Sequence, residues 1–357
     1  MDSELNMNSS TALPNQPEGL AHISYSFMEL IIIINHTISG VISFFGIVGN
    51  VINIIIFYRQ GFKDTVNISL LGLAVSDLLS LITSLWVAIC WNPLIYYADL
   101  PFVPEDVEYM TGSLPHLLCT RITAWITAFV ALERCLCIVI PLHVRTIITP
   151  FRTAVYIVST FIVVAIAQTG LFYSSSLQWV FNIARNRTLM SRVVREGSEE
   201  IDSITYLVNL VNPFGSFIIV VLCTAITAIQ LRRKSEWRMK ITMAHSKRTE
   251  NEADIMSKEK KVIKLVVIIS VIFIFSFLPA NVSHIVYCSI SSQLQLVLLY
   301  IPYISISFSF IKVLEAFNAS ISIALYYVMS SKFRNNFHDV LGIKSTFLNG
   351  QETLLHN

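Results

Sequence analysis

Residues 30 to 58 read LIIIINHTISGVISFFGIVGNVINIIIFY, and from Leu30 to Tyr58 no Asp, Glu, Lys or Arg interrupts the run. A helix rises about 1.5 Å per residue, so about 20 such residues cross the hydrocarbon core of a bilayer. A spanning strand needs only about 10 residues and alternates apolar with polar, so the length of this run selects helix. Arg59, the first basic residue of the chain, follows at once. Outward from this stretch the pattern recurs at Thr65 to Trp91, Tyr109 to Ile140, Thr153 to Ser174, Ile204 to Leu231, Val262 to Cys288 and Leu294 to Val328. Seven such spans each close their own backbone hydrogen bonds and leave no amide unpaired against lipid. The expected fold is an all-α membrane protein, a bundle of seven transmembrane helices over residues 29–329.

Composition agrees. The 357 residues are 54% apolar and only 13% charged, with a mean hydropathy of +0.64, outside the range of ordinary globular domains. No metal-ligand spacing, nucleophile elbow or phosphate loop occurs, and the spans leave no room for a soluble catalytic domain, so no enzymatic activity is expected. Nothing points to nucleic acid.

Basic residues set the orientation. The first, third and fifth connections and the tail hold Arg59, Lys63, Arg145, Arg152, a run from Arg232 to Lys264, Lys332, Arg334 and Lys344, against Arg185, Arg187, Arg192 and Arg195 on the opposite side. Residues 1–28 are therefore expected outside and 330–357 in the cytoplasm of a multi-pass plasma-membrane protein. The start Met1-Asp2-Ser3-Glu4 lacks a basic n-region, so the first span is expected to act as the targeting signal. Sequons at Asn8 and Asn186 fall on the outer side and are the expected glycan acceptors.

A charge in mid-membrane costs about 2.5 to 3.5 kcal/mol on insertion scales, so each one present needs a partner or a task. Asp77 sits inside the second span, with Asn50 and Asn53 of the first as candidate partners. In the third span His116, Thr120, Thr123, Thr127 and Arg134 share one helical face, and in the seventh Lys312, Glu315, Asn318 and Ser322 do the same. Both faces are expected to look inward, onto a water-accessible cavity.

At the inner end of the third span stands Glu133-Arg134-Cys135, with Pro141-Leu142 seven residues after the Arg. Here the chain resembles the rhodopsin-like family of G-protein-coupled receptors. The resemblance implies that Arg134 pairs with acids at rest and is released to a heterotrimeric G protein on activation, and the family's partner position, twenty residues before Pro279, is Glu259. It extends to Gly49-Asn50, to Asp77, to Pro213, to Phe273 with Phe277-Leu278-Pro279, and to the stretch from Asn318 to Tyr326. Phe333-Arg334 resembles the start of a short amphipathic eighth helix. The family's sodium ion would lie at Asp77 with Thr123, Asn318 and Ser322, and no other cofactor is implied. In this reading Glu133, Arg134, Glu259, Phe273, Phe277, Pro279, Pro213, Ser322 and Tyr326 form the activation switch.

The departures are specific. Ser322-Ile323 replaces the family's Asn-Pro pair, Phe277 stands where Trp is usual, and Tyr109 occupies the third-helix position of the family's outer disulfide. Such loosened motifs resemble gastropod chemosensory receptors and worm chemoreceptors related to peptide receptors. The implied ligand is a neuropeptide or a chemosensory cue, with His116, Thr120, Arg121, Lys312 and Glu315 as its contacts.

Plainer readings stand beside these. Arg134 could snorkel to lipid phosphate, Asp77 could be a structural hydrogen-bonding acid, His116 could simply pack beside Pro115, and Lys312 and Glu315 could neutralise each other at a spacing of three. His116 takes the place where amine receptors carry an Asp, which disfavours a monoamine. An opsin would need its retinal Lys at Ala316, one turn from Lys312. A transporter or channel also places charges in the membrane, but the sequence shows no repeated halves with matching broken spans.

Overall fold

The computed structural model describes residues 18–183, 185–242, 250–290 and 294–342. Its helices are α1 (Glu18–Gln60), α2 (Thr65–Cys90), α3 (Pro93–Tyr96), α4 (Pro104–Glu108), α5 (Leu114–Val139), α6 (Pro141–Ile147), α7 (Pro150–Tyr173), α8 (Glu199–Thr242), α9 (Glu250–Ile290), α10 (Leu294–Ser320), α11 (Ser322–Met329) and α12 (Ser331–Val340). Among the described residues, seven helices are long and apolar enough to cross a membrane, and they fall on the seven runs read from the sequence. The third begins earlier than expected, at Pro104, because α4, a π-turn over Tyr109–Ser113 and α5 run on continuously. Pro115 lacks the N–H that would extend the i→i−4 ladder, and the Leu114 amide bonds Tyr109 O, five residues back.

Local chemistry fixes the helix ends. The side chains of Asp64, Thr149 and Ser330 cap α2, α7 and α12 by accepting from Val66, Arg152 and Phe333 amides. Asn67 of α2 donates to the carbonyls of Phe57 and Gly61, closing the end of α1 across the connection. Gly61 there has φ +82°, a conformation open to glycine at little cost.

The bundle is apolar on its outer face, as a lipid solvent requires, and gathers polar side chains inside among apolar clusters. On α7, Val155, Val158, Ile162, Val163 and Ile166 are exposed, while Thr153, Thr160 and Gln168 are buried. Glycines bring helices close: a Cβ on Gly46 would lie 2.0 Å from Ser320 Oγ of α10, and one on Gly170 of α7 would lie 1.9 Å from Thr205 Oγ1 of α8. α5 is the central helix, with His116, Thr120, Thr123, Thr127 and Arg134 all buried as their shared face demands. α12 is the expected eighth helix, seated by buried Phe333 against Phe57 and Tyr326.

One element was not expected. Ser175–Asn182 (β1) and Arg187–Val194 (β2) pair as an antiparallel hairpin in the connection between α7 and α8. Met190 of β2 exchanges backbone hydrogen bonds with Pro101 O and Val103 N, each at 3.0 Å, and Arg187 grips Asp99. Arg192 lies over the ring of Tyr109, 4.4 Å from its centroid. The hairpin is thus held at the position where the related family uses a disulfide. Cys90, Cys119, Cys135, Cys137 and Cys223 are free thiols.

Candidate functional site

At the outer end the helices enclose a cavity of about 520 Å³. All five residues expected to contact ligand line it: His116, Thr120 and Arg121 from α5, Lys312 and Glu315 from α10. Leu114, Leu117, Leu171, Ala280, Phe308 and Ile311 supply apolar wall, and Asn209, His284 and Tyr287 further polar groups.

The ionic partners differ from the plainer reading in which Lys312 and Glu315 neutralise each other. Lys312 Nζ instead lies 3.4 Å from Glu108 Oε1 and also bonds Ser113 Oγ, which itself donates to Glu108. Glu315 Oε2 lies 3.0 Å from His116 Nε2. A spacing of three on one helix permits the first pairing, but α4 and α5 bring better-placed partners to each side chain. His116 is accordingly no passive neighbour of Pro115: its Nδ1 sits 3.0 Å from the Ser80 carbonyl oxygen. Arg121 Nη2 lies 3.0 Å from His284 Nε2.

In the connection between α2 and α5, the Tyr96 phenol of α3 donates to Glu105 of α4. Burial, reinforced by that hydrogen bond and the Glu105 charge, pushes its pKa up, so Tyr96 stays a neutral donor.

Below the cavity Phe273 and Phe277 of α9 stack at 4.3 Å and pack on Ala124, Ala128 and Val220. Deeper still, Asp77, Asn318 and Ser322 line a crevice of about 10 Å³. Asp77 takes its hydrogen bond from Thr123 Oγ1 at 3.0 Å, not from Asn50 or Asn53. Those two reach α10 and α11: Asn50 Nδ2 donates to Ala319 O at 2.9 Å and Asn53 Nδ2 to Ser322 Oγ at 3.1 Å. A carboxylate with hydroxyl and amide oxygens around space for about one water-sized particle fits a single small cation.

At the inner end Arg134 Nη2 lies 2.7 Å from Glu133 Oε1, with both residues buried. Glu133 also accepts from Thr65 Oγ1 and, at 3.5 Å, from Ser69 Oγ. A snorkelling Arg134 would be exposed, which it is not. The side chain of Glu259, its other expected partner, lies outside the described residues, though its backbone continues α9. Pro213 and Pro279 lie inside α8 and α9, and Tyr326 is buried, its hydroxyl without a hydrogen-bond partner among the described residues. Asn186 is exposed in the hairpin turn, at φ 47°, and Asn8 lies outside the described residues.

The sequence reading missed His284 and Glu108. His284 was legible only as a polar residue in an apolar span, five positions past Pro279, and Glu108 only as an acid just before the third apolar run.

An outer cavity and an inner acid–arginine pair, carried at opposite ends of one central helix in a seven-helix bundle, define a membrane receptor of the seven-helix class. Residues 37–344 match the family described as serpentine type 7TM GPCR chemoreceptor Srw, and the chain belongs to that family. It is also similar to the galanin-like G-protein coupled receptor npr-9 of Caenorhabditis elegans, 28% identical over 153 residues that make up 40% of this chain and 32% of that protein. The match spans about a third of that relative's length.

Proposed function

We propose that this chain is a plasma-membrane receptor that takes an extracellular ligand, a chemosensory cue or neuropeptide, into the outer cavity and activates a heterotrimeric G protein from its cytoplasmic end. The single observation that carries this reading is α5 itself, which presents His116, Thr120 and Arg121 to the cavity and holds Arg134 against Glu133 at the other end. Ligand contacts that differ between two arrangements of the bundle shift their populations. The stacked Phe273 and Phe277 and the prolines Pro279 and Pro213 lie where helix movement would be transmitted, because a proline leaves a helix carbonyl unbonded. Glu133, with Glu259, would hold Arg134 at rest, and Ser322 and Tyr326 would move with α11. The Asp77 crevice, with Thr123, Asn318 and Ser322, is the place for a sodium ion; bound there, it would neutralise the buried carboxylate. The name of the worm relative favours a peptide, and the family favours a chemosensory cue. Asn8 and Asn186 are proposed glycan acceptors on the outer face.

Membership of a receptor family supports this reading over a transporter. So does the crevice at the level of Asp77, which has room for about one water. The test is G-protein activation in transfected cells challenged with peptide and small-molecule libraries, with Arg134→Ala as control. A response lost in the variant at equal surface expression is expected. A response that survives Arg134→Ala would remove the proposed switch, and ligand-driven substrate flux without G-protein activation would favour transport.

A further inference from the structure

The hydrogen bonds of the outer cavity allow its charge to be counted. Lys312 and Glu108 stand as one cation against one anion, 3.4 Å apart. His116 Nδ1 faces the Ser80 carbonyl oxygen at 3.0 Å, with the Thr83 and Ser80 hydroxyls farther off at 3.3 and 3.4 Å. The Thr83 hydroxyl donates to the Ser80 carbonyl and a carbonyl only accepts, so Nδ1 carries a proton. The contact of 3.0 Å between His116 Nε2 and Glu315 Oε2 then requires one more proton between them. Whether that proton resides on the ring or on the carboxyl, the pair sums to zero: imidazolium with carboxylate, or neutral ring with neutral acid.

Arg121 is different. A guanidinium can only donate, so the His284 Nε2 that lies 3.0 Å from Nη2 must accept, and His284 is the neutral ring. Among the described residues Arg121 forms no ion pair with a carboxylate, its Nε has no hydrogen-bond partner, and it is only 2% exposed. The cavity therefore holds one buried guanidinium to which no carboxylate in or beside its lining is bonded, Glu315 being taken by His116 and Glu108 by Lys312. A buried unpaired ion is costly, and a guanidinium's planar donors match a carboxylate's two oxygens.

We infer that the cavity binds an organic carboxylate, its head group on Arg121 and its apolar body against Leu117, Phe308 and Ile311. This rests on the cavity being the ligand site proposed above. The acids of the outer connections, among them Asp99, Glu105 and Asp106, would suit a cationic ligand instead, but within the cavity both carboxylates are already partnered and an ammonium would meet the Arg121 charge. A volume of about 520 Å³ holds a small molecule or the last residues of a peptide. The carboxylate thus belongs either to a free acid or to a peptide's C-terminus.

The test is thermal stabilisation of the purified full-length receptor in detergent, without G protein. The probes are 4-phenylbutyrate, its amide 4-phenylbutanamide and its amine 4-phenylbutylamine, together with a phenylalanine-terminated tripeptide as free acid and as amide. At least one acid should raise Tm while its amide and the amine do not, and which acid works identifies the source. Arg121→Gln should weaken the apparent affinity for that acid at least tenfold. Arg121→Lys, which keeps the charge without the fork, should keep the preference for the acid at lower affinity and serves if Arg121→Gln does not fold. Amide or amine acting as well as acid, an unchanged response in Arg121→Gln, or no shift with either acid overturns the inference. Arg134→Ala should retain the acid-induced shift. A wild-type shift keeps this inference whether or not the acid activates a G protein, whereas failure of every ligand to activate one would count against the proposed switch alone.

Discussion

Asn50 of α1 donates its side-chain amide to the backbone carbonyl of Ala319 on α10, 2.9 Å away. The helix is interrupted two residues on, at Ile321, although Ser322-Ile323 stands where related receptors carry Asn-Pro. A side chain that takes a carbonyl out of the i→i−4 ladder breaks a helix as a proline does, and Asn53, bonded to Ser322, holds the next turn. Asn50→Ala should therefore lower the melting temperature, by the equivalent of about 1–3 kcal/mol for a buried polar group left unpaired. The combined loss with Asn53→Ala should be non-additive, because both side chains hold one break. Thermal melts of the single and double variants in detergent check this; simple additivity would mean that the two amides act separately.

Arg192 over Tyr109, with Met190 bonded to both Pro101 and Val103, ties the hairpin down without sulfur. Reducing agent should leave the melting temperature and ligand response of this receptor unchanged. Arg192→Ala should lower the response at constant expression, since a cation–π contact at an exposed site is worth about 0.5–1 kcal/mol and orders the loop beside the cavity. Sensitivity to reductant equal to that of a disulfide-bonded receptor would show a thiol pairing in its place.

What the sequence disclosed, and what it withheld, follows from range. The spans were legible because each carries its own apolar run, and the inward faces of α5 and α10 because helical spacing is local. Lys312 and Glu315 were readable as cavity residues but not as partners of Glu108 and His116, contacts across 204 and 199 positions that only the packed bundle creates. The β1–β2 hairpin escaped because its order comes from Phe102, Asp99 and Tyr109, which lie outside its own segment. Gly46 could be noted in the sequence, but not that Ser320 stands against it.

Glu133 accepts from Arg134 and Thr65 in a buried setting, so its charge is the described restraint on Arg134. Glu133→Gln keeps the shape and an oxygen for Thr65 but removes that charge. Basal G-protein activation should rise several-fold at equal surface expression. Glu259→Ala should raise it as well, and the double variant should show whether the two acids share one restraint. Unchanged basal activity in both single variants would mean that Arg134 is held by packing and not by charge.

Gly46 of α1 faces Ser320 so closely that an added Cβ would meet Ser320 Oγ at 2.0 Å, Ser320 Cβ at 2.9 Å and Leu81 Cδ1 at 2.9 Å. Rotating the serine hydroxyl away relieves only the first of these contacts, so the helices themselves must separate. That separation would stretch the Asn50 to Ala319 bond one turn further along the same interface. Gly46→Ala should thus destabilise the receptor by about 1–3 kcal/mol, the range for overpacking a filled interior. Adding Ser320→Ala should recover part of the loss but not all, because the Cβ contact and Leu81 remain. Melting temperatures of the wild type, the single variant and the pair decide the matter: full recovery would reduce the constraint to the hydroxyl alone, and an unaffected single variant would mean that α1 and α10 pack less closely than described.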